Sequence, residues 1–541
     1  MMRGIREGLK ILENLLSGRG KRGRPYIVLE LPTGYGKSTS GPLVYDLLSD
    51  YYVPEGRIVH VLPLRAIVED LANDFYKKLG DKVAYQAGLY LLTPGGEPVP
   101  KSPLFDADYN ITTFDSFIHN LHKIPVTEIY DFYKHYYISF ERVYTSTVIM
   151  DEAHMLMGED SIKTTTAFLA SLRLLQKMGN PIIIMTATLT ESLRNAIRQV
   201  LGEVKFVRLG PEDREEGNTI FVHDKDFEDR IGNTKYTVKL ISMNDVLGKV
   251  LELAEGGKRV LVVINHIDKI GEIYVKLKEH GLRVGIIHSE MTRRDRERVR
   301  SDLKEKRLDV LVGTSAIEAG VNVSFDALVT VPDNPAGLVQ RVGRICRYGD
   351  CSGELYLVCS GSGIGELRVN RELCKYLGKH GNDIKWRLPY PSENSYVKIL
   401  EEFSGQEVPT NEEVEEVLKY LSRPYISQGL IQHLFGKVGF NLAREALIEV
   451  YTRGKEEFTR ANPMDVILDS FSTDLGRLAK WEGCGEGIGY LGDEGPVMTN
   501  YPVDRFFADD LVKVLSAYEE FVRRYRASPV LIIRPDCYFG G

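Results

Sequence analysis

The apolar run Tyr26-Ile-Val-Leu-Glu-Leu31 leads directly into Pro32-Thr33-Gly34-Tyr35-Gly36-Lys37-Ser38. A strand that passes into a glycine-rich loop ending in Lys-Ser is built to hold phosphates. Gly34 and Gly36 let backbone N–H groups approach phosphate oxygens, and the following helix offers its positive end. Lys37 would reach the β- and γ-phosphates of ATP and Ser38 would ligate Mg²⁺, with Thr33 completing the loop. The general pattern begins with glycine, and this chain carries Leu31 there. Read alone, the stretch is also compatible with an ordinary glycine turn before a helix. Strand and helix patterns alternate over residues 26–205, which implies an α/β fold with a parallel sheet covered by helices on both faces.

Two further strand ends carry chemistry. Thr147-Val-Ile-Met150 delivers Asp151-Glu152-Ala153-His154. A buried strand that presents a carboxylate to Mg²⁺ opposite a Lys-Ser loop assigns Asp151 to the metal and Glu152 to the attacking water. An isolated Asp-Glu pair would read as a solvated helix start; the preceding hydrophobic strand and the phosphate loop reverse that reading. Pro181-Ile-Ile-Ile-Met185 ends in Thr186-Ala-Thr188-Leu189, whose hydroxyls could link an ATP site to a nucleic-acid groove while also capping the helix near Glu191.

Taken in order, these motifs resemble those of a superfamily 2 helicase of the DEAH type, a resemblance extended by the second half of the chain. Pro32-Thr33 is how the helicase branch of phosphate-loop proteins writes its loop. Leu261-Val-Val-Ile-Asn265 reads as a strand of a second RecA-like domain. Gly313-Thr314-Ser-Ala-Ile-Glu318-Ala-Gly320-Val-Asn322 matches the motif touching nucleic-acid backbone and ATP, which implies Glu318 and Gly320 at the nucleotide and Thr314 at the nucleic acid. Gln340-Arg341-Val-Gly-Arg344-Ile-Cys-Arg347 matches the final motif. By matching position Arg344 and Arg347 are the arginine fingers and Gln340 couples to His154; such a finger is worth about 10³–10⁵ in rate.

Composition sets limits on this reading. A chain of 541 residues holds several domains, and 43% hydrophobic with 27% charged residues is ordinary for a globular protein. The net charge of −7 gives no basic signature, so nucleic acid must meet local patches. The six cysteines form no C-x-x-C pair, so neither a disulfide framework nor a zinc site is expected. With no signal peptide and no membrane-spanning run, a cytoplasmic protein with no membrane partner is expected.

Residues 1–205 are expected to form the first RecA-like domain, 206–240 a polar linker, 241–365 the second RecA-like domain, and 366–541 a mostly helical C-terminal accessory domain. Residues 1–25 read as an amphipathic helix followed by the basic turn Gly18–Arg24, which is either a DNA contact or a solvated loop. Arg65, after the strand ending at Leu62, is a phosphate-contact candidate. Thr112 and Thr113 in Ile111-Thr-Thr-Phe-Asp-Ser-Phe117, with Thr188, complete the nucleic-acid candidates, which would grip one strand's phosphates with little sequence dependence. The insertion Tyr130–Phe140 reads as aromatics packed on the sheet in preference to base stacking. Thr292–Arg300 reads as a salt-laced helix surface with one or two arginines along a groove. Trp481 reads as buried packing.

Within the superfamily, Thr112-Thr-Phe-Asp-Ser-Phe117 followed by Asn120-Leu-His122 is similar to the CRISPR-associated helicase of type I systems, as is Glu318–Asp326. That resemblance implies a translocase recruited by the surveillance complex Cascade, moving 3′ to 5′ on the displaced non-target strand of single-stranded DNA and feeding an HD nuclease. The phosphate loop lies near residue 31, and the His223-Asp224 dipeptide has no upstream metal-binding histidines. The expectation is therefore a stand-alone helicase subunit, type I-A-like, with a separate HD nuclease as partner. A repair or RNA helicase of the same superfamily and an ATP-gated clamp without translocation are the alternatives.

Overall fold

The computed structural model describes residues 6–17, 25–51, 57–87, 99–123, 136–157, 162–232, 234–318, 323–349, 351–362, 364–390, 394–405, 408–423, 447–492, 494–508 and 510–539. The basic turn Gly18–Arg24, most of the insertion Tyr130–Phe140, and Gly320 lie outside them.

The first sheet is built from Tyr26–Glu30 (β1), Ile58–Leu62 (β2), Val83–Gln86 (β3), Tyr109–Thr113 (β4), Thr147–Met150 (β5), Ile182–Thr186 (β6), Lys205–Leu209 (β7), Arg214–Glu216 (β8) and Thr219–Val222 (β9). Their order is β3-β4-β2-β5-β6-β1-β7-β9-β8, parallel except where β8 turns back on β9. Side-chain alternation explains the continuous apolar runs: Val28, Val148, Met150, Ile182 and Ile184 enter the core on one face. Ile27, Leu29, Ile149, Ile183 and Met185 enter the core on the other. A sheet buried on both faces leaves no polar side to its central strands.

Parallel pairing puts the C-terminal ends of β5, β6 and β1 side by side, so Asp151, Thr186 and the phosphate loop emerge next to one another. The Leu31 N–H donates to Thr186 O at 3.0 Å and holds that edge together.

The stretch 206–240, expected as linker, is largely structured: it carries most of β7, then β8 and β9. Phe206, Val207 and Leu209 are buried between charged neighbours, and the acidic residues that suggested a linker face outward on a hairpin.

The second sheet contains Lys235–Ser242 (β10), Val260–Val263 (β11), Val284–Ile287 (β12), Val310–Gly313 (β13), Ala327–Thr330 (β14) and Ser352–Ser360 (β15), ordered β10-β15-β14-β11-β13-β12 and wholly parallel. Asn265, Thr314 and Asp333 follow its adjacent strands β11, β13 and β14.

In the C-terminal region helices outnumber strands, yet its core is a five-stranded sheet of Leu447–Tyr451 (β16), Ser470–Asp474 (β17), Gly485–Gly492 (β18), Gly495–Met498 (β19) and Val530–Ile533 (β20). The helix Leu511–Tyr525 buries Val514, Ala517 and Phe521 with that sheet. The helix Glu412–Leu421 goes elsewhere. Its stripe Val414, Val417, Leu418 and Leu421 joins the first sheet's core, and Arg173 meets Glu415 at 2.6 Å.

The cysteine expectation is overturned. All six pair, as Cys346–Cys351, Cys359–Cys374 and Cys484–Cys537, with Cα separations of 5.8, 6.1 and 6.0 Å. These lie inside the range a disulfide can bridge. Spacing could not reveal them because the fold makes the pairs: Cys359 lies near the end of β15 and Cys374 sits on the helix Arg371–His380. Among the described residues no cluster of three His, Cys, Asp or Glu is arranged for a metal, and no helix is long and apolar enough to cross a membrane.

Candidate functional site

Gly34 and Gly36 adopt φ of 77° and 100°, the left-handed region that glycine enters freely. Between them Tyr35 is anchored: its hydroxyl donates to Asp224 Oδ2 at 2.6 Å and accepts from the Gly8 N–H at 2.9 Å. The loop is therefore tied to the helix Glu7–Ser17 and to the segment after β9. Lys37 is buried, and its Nζ donates to Leu31 O at 2.6 Å and Pro32 O at 3.2 Å. Burial pushes its ammonium below the ordinary value, while Glu152 and Asp151 hold it up.

Asp151 has no solvent exposure. One oxygen accepts from the Glu152 N–H at 2.8 Å; the other lies 3.4 Å from His60 Nε2, whose Nδ1 is 2.8 Å from the Tyr109 hydroxyl. Burial opposes the Asp151 charge, but His60, Ser38 and Lys37 hold its carboxyl below the usual carboxylate value. Glu152 sits at φ 47°, a left-handed conformation costly for a residue with a side chain and concentrated at functional sites. Its Oε2 is 3.5 Å from His154 Nδ1 and makes no hydrogen bond among the described residues. His154 Nδ1 in turn lies 3.3 Å from Thr186 Oγ1.

The other wall comes from the second sheet. A Cβ on Gly343 would stand 2.6 Å from Thr33 Oγ1, so the turn after the helix Pro335–Val342 presses on the phosphate loop itself. Arg344 follows, with its guanidinium donating to Glu318 O. Burial and the neighbouring Arg347 push Arg344 down to about 9, opposed by Glu152 and Glu318. Burial likewise lowers Arg347. Charge interactions thus link Arg344 to Glu152, and Arg347 to both Glu152 and Lys37, of the first sheet's loops. The structure brings together Thr33, Lys37, Ser38, Asp151, Glu152, Arg344 and Arg347.

Gln340 is buried, with Nε2 lacking a hydrogen-bond partner among the described residues. It lines a cleft of about 840 Å³ that also contains His154, Thr188 and Glu318. Glu318 accepts from Arg341 Nε at 2.7 Å, and burial raises its carboxyl against that guanidinium.

The nucleic-acid candidates divide. Arg65, Thr113 and Thr314 line a second cleft of about 1040 Å³ between the three sheets. Arg65 Nη1 donates to Glu449 Oε1 at 3.2 Å and Ser472 Oγ at 2.5 Å, tying it to the C-terminal sheet. The hydroxyls of Thr113 and Thr314 cap the turns that follow them. Thr188 faces the first cleft. Thr112 is fully buried and donates to Gln86 O at 2.6 Å, because strand alternation turns it away from the face of Thr113.

Several residues of these sites were not singled out from sequence. Arg341 is fully buried and bonds Glu318, Thr330 Oγ1 at 3.0 Å, Val331 O at 2.8 Å and Asp333. Its signal was its place between Gln340 and Arg344. His60 and Tyr109 back Asp151; a histidine inside the apolar strand Ile58–Leu62 was their only mark. Along the second cleft Arg293, Arg296 and Arg300 all appear, more than the one or two expected, joined by Arg477 and Lys480 of the accessory region. Trp481 is 8% exposed and packs on Phe471 with ring centroids 5.8 Å apart. Of the described part of the aromatic insertion, Tyr137 is 37% and Ile138 41% exposed while Ser139 is buried.

Comparison with known proteins finds relatives in sequence and in fold. Residues 10–196 match the model for DEAD/DEAH box helicases, and residues 256–350 match that for the C-terminal part of the CRISPR-associated nuclease/helicase Cas3. The CRISPR-associated nuclease/helicase Cas3 of Methanothermobacter thermautotrophicus is 26% identical over 211 residues, 38% of this chain; the chain spans only 24% of that relative. UvrABC system protein B of Streptococcus thermophilus is 31% identical over 116 residues, 20% of this chain and 17% of its own. In fold, the T. fusca Cas3–AMPPNP crystal structure superposes with a TM-score of 0.65 at 15% identity, covering 98% of this chain and 68% of the other. The two family models occur in helicase order, on two parallel sheets whose motif-bearing loops meet; the chain is similar to DEAD/DEAH box helicases over its first sheet and to the C-terminal part of Cas3 over its second.

Proposed function

We propose that this chain hydrolyses ATP between its two parallel sheets and uses the cycle to move along single-stranded DNA. One observation carries the reading: Lys37, Asp151 and Glu152 from one sheet and Arg344 and Arg347 from the other converge where Gly343 meets Thr33. The donor set suits Mg-ATP. It offers a glycine-relaxed loop with a buried ammonium, a hydroxyl beside a buried carboxylate, and crowded guanidinium groups that an anion would relieve.

Ser38 and Asp151 would hold Mg²⁺, which when bound offsets charge on the phosphate oxygens. Lys37 would leave the Leu31 and Pro32 carbonyls for phosphate. Glu152 would orient a water and accept its proton as the oxygen attacks the γ-phosphorus. The bond to the β-phosphate oxygen breaks with its electron pair leaving on ADP. Arg344 and Arg347 would offset the charge that develops, and Gln340 with His154 and Glu318 would report the outcome to the outer cleft. There Arg65, Thr113, Thr314 and the cationic rim would grip the phosphate backbone, largely without regard to sequence.

The narrower reading follows the family resemblance: movement 3′ to 5′ on the non-target strand, recruitment by Cascade, and delivery of DNA to a separate HD nuclease in a type I-A-like arrangement. The UvrB match supports a second reading, a repair helicase. Steady-state ATPase without nucleic acid, and with single-stranded DNA, duplex DNA or single-stranded RNA, tests these readings beside Glu152→Gln. Stimulation by single-stranded DNA that the variant loses is expected. Preference for duplex DNA would favour the repair reading and preference for RNA an RNA helicase; binding without stimulation would leave only a clamp.

A further inference from the structure

The turn that presents Arg344 and Arg347 is not a regular element. After the helix Pro335–Val342 the chain makes successive turns, and Cys346 takes φ 49°, a left-handed conformation that persists in a residue with a side chain only when its surroundings hold it. Part of the hold is local. The Arg347 N–H donates to Ser324 Oγ at 3.0 Å, Cys346 N–H to Phe325 O at 3.0 Å, and the Tyr236 hydroxyl to Ile345 O at 3.2 Å.

The Cys346–Cys351 bridge and the Gly349 N–H on Cys346 O at 3.0 Å add to it, and a further hold comes from one side chain beyond the second sheet. Arg387 is 4% exposed. Its Nη1 donates to Cys346 O at 3.2 Å and lies 3.5 Å from Ile345 O, while Nη2 donates to Arg347 O at 3.2 Å. A single planar fork thus spans three consecutive carbonyls of the turn. Lysine, a point charge without that fork, cannot reproduce this.

The setting of Arg387 gives the contact its meaning. Trp386, just before it, is buried in the core of the second sheet, with its indole N–H on Gly381 O at 3.2 Å. Leu388, just after it, belongs to the core of the first sheet, as does Tyr390, whose hydroxyl reaches Glu228 at 3.0 Å. Arg387 therefore occupies the step at which this strap crosses from one core to the other, and there it grips the arginine-bearing turn. Its own positive charge disfavours charge on Arg344 and Arg347, whereas Glu152 across the interface favours it.

We infer that Arg387 is a positioning residue for ATP hydrolysis: by clamping the carbonyls of residues 345–347 from a strap seated in both cores, it holds Arg347 and Arg344 toward Glu152 and the phosphate loop. The inference rests on the proposed ATPase reading and names a residue outside every helicase motif.

The test uses the full-length chain and four variants, Arg387→Gln, Arg387→Lys, Arg347→Ala and Arg347→Ala/Arg387→Gln, with saturating single-stranded DNA. Rates are expressed per mole of enzyme competent to bind fluorescent mant-ADP, so that loss of folded protein does not enter. Arg387→Gln is expected to lower kcat about 10- to 100-fold, the scale of a misplaced catalytic group, with KM for ATP and affinity for mant-ADP within about twofold of wild type. Affinity for ADP–fluoroaluminate, a mimic of the transferring phosphoryl group, should fall with kcat. Arg387→Lys should not restore either, and the double variant should be no slower than Arg347→Ala. Arg347→Ala slow with both Arg387 variants at wild-type rate would overturn the inference while leaving the finger reading intact. Additive losses in the double variant would overturn it too, since Arg387 would then act independently of Arg347. Arg347→Ala at wild-type rate would remove the reading on which the inference stands, and the inference with it.

Discussion

The nucleotide site and the outer cleft are built on different plans. Lys37 and Asp151 are buried and fixed close to the ends of strands: Asp151 is held by its neighbour's N–H and by His60, and Lys37 by two carbonyls. Around the outer cleft long cations at partly exposed positions, drawn from the first sheet (Arg65), the second (Arg293, Arg296, Arg300) and the accessory region (Lys480), stand among the carboxylates Glu69, Asp115, Asp268, Glu290 and Glu449. Bond cleavage needs atoms held within fractions of an ångström, so rigid strand ends supply them. Holding a flexible phosphate backbone needs charge at several points and tolerates movement, so it is spread over surfaces that can shift.

Breaking the inner plan has the largest expected effect. Lys37→Ala should abolish DNA-stimulated ATPase, and Arg344→Ala or Arg347→Ala should lower kcat by about 10³-fold or more, read by steady-state phosphate release. Glu152→Gln, which keeps the shape but cannot take a proton, should cost about 10²–10⁴-fold in kcat while leaving ATP binding near wild type by equilibrium titration. The outer cleft should answer differently. Arg293→Ala or Lys480→Ala should weaken single-stranded DNA binding several-fold and reduce the slope of log K against log salt by about 0.7 per lost phosphate contact, with KM for ATP unchanged. Equal loss of ATPase without DNA in these variants would erase the distinction between the clefts. The smallest effect is expected at Arg65. Its pair with Glu449 is about one-third exposed on both sides, so Arg65→Ala should change folding stability little, by about 0–1 kcal/mol, and reveal itself in DNA affinity alone.

The same contrast explains what could be read from the sequence. The inner residues are adjacent in the chain to the strands that present them, so an apolar run followed by Lys-Ser or Asp-Glu announces both fold and chemistry. That these segments join a parallel sheet follows from such runs; the order that sets Asp151, Thr186 and the phosphate loop side by side does not. Thr112 shows the limit of that logic: two neighbouring threonines at a strand end look alike, and pleating sends one to Gln86 and the other to the cleft. Residues 206–240 read as linker because short strands with charged outer faces resemble polar coil. Arg387, Lys480 and Arg477 carried no local signal, since their partners lie far along the chain and only the fold brings them near. The cysteine pairs escaped because separations of 5, 15 and 53 residues match no recognisable motif.

Those pairs also bear on how the chain is made. The first cysteine is residue 346, after both parallel sheets have been almost wholly synthesised. Each cysteine pairs with the next one along, across 5, 15 and 53 residues, so no loop encloses or crosses another. A polypeptide emerging from its N-terminus can therefore close every bridge with the nearest available thiol. The phosphate-loop sheet takes shape with no thiol of its own to mispair, and oxidation becomes a late event confined to residues 346–537.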